Sequence, residues 1–119
     1  DSVAIGYGAI TQADGAVAIG TNITAAKNNT TTVDSFEVSG SKITVASGTN
    51  KASGTATLSG GTVTISNNTV TANSLIFINV KGTCTNCGSY RYTISAGTSF
   101  TITSTNASDA STVAYLIIN

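Results

Sequence analysis

The chain of 119 residues is 40% apolar and only 8% charged, which excludes the disordered class and leaves room for one domain or two small modules. Five Lys/Arg against five Asp/Glu leave no net charge, so there is neither a basic footprint for nucleic acid nor a polybasic patch for anionic lipid. No apolar run reaches the roughly 20 residues of a membrane-spanning helix, so no membrane insertion is expected. The abundance of Thr, Ser, Asn and Gly favours pleated strands joined by tight turns.

The opening stretch Ser2–Thr11 returns in altered form as Ala16–Thr24, offset by 14 residues: Val3 recurs as Val17, Ala4 as Ala18, Ile5 as Ile19 and Gly6 as Gly20. That period suits one coil of a β-roll or β-solenoid in which each turn stacks on the next. Alternation places Val3, Ile5, Val17 and Ile19 on one face and the alanines on the other. The larger residues are expected to form the coil core and trimer contact, while the small alanine face lets a neighbouring copy approach. Ser-Val-Ala-Ile-Gly followed in phase by Ala-Val-Ala-Ile-Gly resembles the head repeats of trimeric autotransporter adhesins, which also appear in phage tail fibres. The resemblance covers residues 2–24 and implies a left-handed β-roll from each chain, joined side by side in a homotrimer. No third repeat is legible after Thr24.

Residues 1–29 are therefore read as a β-roll repeat segment, 30–41 as a junction and 42–119 as a C-terminal β-sandwich domain. Within the junction, Phe36 and Val38 alternate with Glu37, predicting a short strand that ends at Gly40. Beyond it, strands are predicted at Lys42–Ala46, Thr55–Leu58, Thr62–Ser66, Leu75–Lys81, Tyr90–Ser95, Ser99–Thr103 and Thr112–Ile118, spaced as in a small antiparallel β-sandwich of jelly-roll type. Ser59-Gly60-Gly61, Asn67-Asn68 and Ala96-Gly97-Thr98 carry hairpin-type turn residues. Val113–Ile118 is almost continuously apolar, so both its faces should be covered, one by the subunit's own sheet and the other at a threefold axis. A module this small rarely buries enough apolar surface alone, which also favours oligomerisation. Gly61–Ser66, Val70–Ser74, Ala96–Asn106 and Ser111–Ile118 together resemble the C-terminal β-domains of phage fibre and spike proteins. That resemblance implies a fibre tip and host-surface recognition, with no catalytic residue to carry over.

Cys84 and Cys87 flank two polar residues between Gly82 and Gly88. Three states stand open: a local disulfide, free thiols, or thiols from three chains gathered around a metal. Two thiolates make half a zinc site and the chain has no His, so no metal site and no cofactor are expected. A disulfide would suit an extracellular or virion setting. Without His, a nucleophile–base relay has little to stand on. The nearest carboxylate pair, Asp34 and Glu37, would fall on opposite faces of a strand, and Asp109 reads as a turn residue. No catalytic residue is assigned and the chain is not read as an enzyme. Tyr90, Arg91 and Tyr92, with Asn86 of the preceding loop, form the candidate ligand site. If the two tyrosines face outward they offer a platform for sugar rings; in the alternative they lie in the sandwich core or a subunit contact.

The resulting expectation is a structural and receptor-binding distal part of a trimeric phage tail fibre, attached to the virion and contacting a host-surface glycan or protein. A bacterial cell-surface adhesin or surface-filament subunit, extracellular in location, is the alternative. A fragment of a glycan-degrading tailspike is the third reading.

Overall fold

The computed structural model describes residues 1–33, 43–84 and 86–119. Among them are eleven strands and no helix, so the all-β class follows directly from the Thr- and Val-rich runs. They fall into two compact units, Asp1–Ile43 and Thr44–Asn119.

In the first unit, β1 (Val3–Ile5), β3 (Val17–Ile19) and β5 (Thr31–Val33) form a parallel sheet, and β2 (Ile10–Thr11) pairs in parallel with β4 (Thr24–Ala25). Val3 pairs with Val17 and Val17 with Thr31, so each coil stacks on the next with the 14-residue offset of the repeat. The strand at Thr31–Val33 is a third coil where a junction was expected. Thr31 and Thr32 stand in the places of Val17 and Ala18; the apolar signature is lost there, but β-branched threonine still suits the backbone ladder.

The coil core is the reverse of the expected one. Ala16, Ala18 and Ala25 are fully buried, with Ala9, Ala13 and Ile23 packed against them, whereas Val3, Ile5, Ile10 and Ile19 are exposed. A coil of only 14 residues encloses a narrow interior, filled by alanines with Ile23 packed against them, so residue size selects the inner face. The corner is equally confined: Gly6 adopts φ 127°, and a Cβ there would lie 2.8 Å from the carbonyl carbon of Gly20 in the next coil. Only glycine meets both requirements.

In the second unit, β6 (Ser53–Thr57), β11 (Thr112–Ile118) and β8 (Leu75–Val80) form one antiparallel sheet in the order β6–β11–β8. β7 (Thr62–Ser66), β10 (Ser99–Ser104) and β9 (Tyr90–Ser95) form the other, in the order β7–β10–β9. Alternate residues of the two sheets meet in a shared core of Leu58, Val70, Ile76, Phe100, Ile102, Val113, Tyr115 and Ile117. Phe100 and Tyr115, from opposite sheets, meet edge to face with ring centroids 5.0 Å apart, the arrangement that aromatic quadrupoles favour.

Only Ala96-Gly97-Thr98 is a hairpin, joining β9 to β10. Ser59–Gly61 and Asn67–Asn68 are instead corners where the chain crosses between sheets. At the second corner Asn67 is fully buried and donates from its side chain to the Lys51 carbonyl at 3.0 Å, a contact that leads the chain away from its own strand. Ile43–Ala46 is irregular rather than a strand, and β6 begins before the predicted Thr55. Lys42 and the predicted strand at Phe36–Val38, with Asp34 and Glu37, lie outside the described residues.

The outer faces of the two sheets differ sharply. On the β7–β10–β9 sheet the outward residues are hydroxylic apart from Arg91, with Thr64 and Thr101 hydrogen-bonded across strands at 2.8 Å. On the β6–β11–β8 sheet Leu116 pairs with Phe77 and Ile118 with Leu75. Leu75, Phe77 and Ile118 are each about half exposed, at 56%, 58% and 48%. The inward half of the β11 run is covered by the subunit's own core, as expected. Its outward half is open within the single chain.

Candidate functional site

The loop between β8 and β9 carries the Cys pair, and its base is fixed by the turn that precedes β11. Cys84 and Cys87 are joined in a disulfide. Cys87 is half-buried and its sulfur accepts a hydrogen bond from the Ser111 hydroxyl at 3.1 Å. The next residue, Gly88, donates its N–H to Asp109 Oδ2 at 3.2 Å and to Ser104 Oγ at 3.1 Å. A Cβ on Gly88 would lie 2.6 Å from Ser104 Oγ, so glycine allows the loop backbone to approach β10 closely.

Asp109 is the centre of this arrangement. It is fully buried, and its carboxylate also accepts from the Tyr90 hydroxyl at 3.0 Å and from Ser111 N–H at 2.9 Å. Its backbone carbonyl accepts from Gly61 N–H at 2.9 Å. Burial pushes the carboxyl pKa up, but hydrogen bonds from Ser111, Ser104 and Gly88 outweigh that and hold it well below the usual carboxylate range. The same contact acts oppositely on Tyr90: burial first, then its hydrogen bond to Asp109 and the charge of that carboxylate, raise the phenol pKa. Asp109 is thus more than the turn residue expected. Apart from Ser111, its partners Gly61, Gly88 and Tyr90 lie far from it in sequence, and nothing in the local stretch Asn106–Ser111 signals them.

The candidate ligand residues divide. Tyr90 and Tyr92 point inward and pack against the sandwich core, so they do not form an outward sugar platform. The alternation of β9 puts the aromatic residues in phase with Ile94, and the core claims all three. Arg91 is exposed on the opposite face, beside Thr103 of β10. Asn86 is exposed at the loop tip with φ 64°. Among the described residues, no three His, Cys, Asp or Glu side chains gather as a metal site, and no helix is long and apolar enough to cross a membrane.

The second unit is thus a six-stranded sandwich with a loop pinned at its base and closed by a disulfide. Residues 50–118, which include all six of its strands, match the family described as K1 capsule-specific polysaccharide lyase, C-terminal domain, and the chain belongs to that family. The match does not reach the repeats of residues 2–24. No curated protein matches the chain.

Proposed function

We propose that the chain forms the distal, non-catalytic part of a trimeric phage tail spike or tail fibre, carried on the virion and presented to a glycan or protein of the host surface. The observation that carries this reading is the open apolar face of the β6–β11–β8 sheet, made by Leu75, Phe77, Leu116 and Ile118, in a chain belonging to a lyase C-terminal family. A symmetric assembly covers such a face with copies of itself. The outward Val3, Ile5, Val17 and Ile19 of the first unit offer a second face for the same purpose, in the trimer-contact role assigned to the repeat. Three copies on one axis would make weak surface contacts additive through effective concentration. Arg91 and Asn86 remain available for such contacts; Tyr90 and Tyr92 serve the core.

The family description also brings forward the glycan-degrading spike. In that reading the cleaving residues belong to another part of a larger protein, and this chain supplies its trimeric end. The bacterial adhesin reading rests on the repeats of residues 2–24 alone. Multi-angle light scattering on the purified chain is expected to give three times the chain mass. Leu116→Glu, which places a charge on the open face, is expected to give a single chain mass with the β circular-dichroism signal kept. A monodisperse wild-type monomer would refute the assembly.

A further inference from the structure

A second feature of the Thr44–Asn119 unit lies away from the Cys loop. Where the segment before β6 runs beside the end of β7, a cleft of about 400 Å³ opens, within the roughly 300–1,000 Å³ range of small-molecule sites. Ser47, Thr49, Thr55 and Ser66 line it together with Ile65 and Tyr115, and no charged side chain takes part.

The wall is built in advance of any ligand. Gly48 N–H donates to the Ser53 carbonyl at 2.9 Å, and Ser53 N–H returns to the Ala46 carbonyl at 3.1 Å. Fully buried Asn67 holds the Lys51 carbonyl at 3.0 Å, and Asn50 Oδ1 accepts from Asn68 N–H at 2.9 Å. The loop is therefore tied at both ends and at its middle.

Tyr115 reaches this cleft from the core side. It is only 7% exposed, its ring is held by Phe100, and its tip lies against Gly54, where a Cβ would come within 2.6 Å of Tyr115 Cζ. Among the described residues no buried side-chain oxygen is left unpaired, so the Tyr115 hydroxyl, which makes no hydrogen bond to them, is open to the cleft and free to meet a ligand. It stands at an opening ringed by hydroxyl groups, with one aliphatic side chain beside it. A neutral pyranose, polar around its rim and apolar across its C–H face, has the complementary chemistry.

We propose that this cleft binds a neutral pyranose unit of a glycan, with the Tyr115 hydroxyl as the central hydrogen-bonding group. The inference rests on the glycan-facing reading above, but the site is complete in one chain and does not need the trimer.

Amide chemical shifts of the 15N-labelled chain, titrated with methyl α-D-glucopyranoside, methyl β-D-galactopyranoside and glucuronic acid, test it. A neutral glycoside is expected to give saturable shifts at Gly48, Thr49, Gly54, Thr55 and Ser66. Tyr115→Phe is expected to weaken binding about three- to tenfold, as loss of one neutral hydrogen bond implies. Thr49→Trp, an exposed substitution at the mouth, is expected to abolish it. Absence of saturable shifts with both neutral glycosides, tighter binding of glucuronic acid, or unchanged affinity in Tyr115→Phe would overturn the assignment. Leu116→Glu is expected to bind the glycoside as wild type does. Loss of the trimer and loss of the sugar site are thereby read separately.

Discussion

Asp109 concentrates several of the chain's non-local contacts in one side chain. It is the sole acidic residue between Thr44 and Asn119, and it is spent on the Gly88, Tyr90 and Ser111 donors rather than on solvent. Because its folded pKa lies below the ordinary value, its stabilising contribution is complete above the usual carboxylate range and is lost as pH falls through that range toward the lowered folded value. Thermal stability is therefore expected to fall progressively as pH drops below about 5. Asp109→Asn should flatten that acid limb and lower Tm at neutral pH, since its amide cannot accept from all three donors. An unchanged acid limb in the variant would refute this. The disulfide beside it contributes less. Cys84 and Cys87 are three positions apart, and Gly88 is anchored independently, so replacing both with Ser is expected to cost at most about 2 kcal/mol in urea unfolding.

At the scale of the element, burial is decided by what each strand faces. In β10 Phe100 and Ile102 are fully buried between the sheets. Phe100→Ala is expected to cost about 3–5 kcal/mol, read from the denaturation midpoint of the second unit. In β3 the order is inverted, with Ala18 inside and Ile19 40% exposed. Ala18→Leu is therefore expected to destabilise the β-roll by about 1–3 kcal/mol through overpacking. Val17→Asp, on the outward face, should instead act on association. Hydrogen exchange of the amides in β1, β3 and β5 distinguishes the two. The 14-residue offset and the alternation within β7, β9, β10 and β11 were legible because they are periodic. The third coil at Thr31–Val33 was not, because the backbone ladder there survives the loss of the apolar pattern.

For the whole molecule, the apolar sheet face and the lack of net charge would make the proposed assembly a matter of buried area rather than ion pairing. The proposed trimer is expected to show a Tm that rises with protein concentration. It should also keep its mass when salt is raised from about 0.05 M to about 0.5 M, since screening has little to act on. A concentration-independent Tm would count against it.

Periodicity and composition by themselves determined the all-β class, the coil spacing of the opening repeat and most strand positions of the sandwich, because those depend on side-chain alternation and local backbone preference. Only the tertiary structure decided which face of each strand is inside. It put alanine rather than the repeat's Val3, Ile5 and Ile19 in the narrow coil interior, with Ile23 packed against it. It turned Tyr90 and Tyr92 toward the core and made Asp109 a buried hydrogen-bond centre. It also brought Tyr115 beneath a cleft whose walls come from three distant segments. Such placements depend on residues far apart in the chain, and on the volume available between sheets.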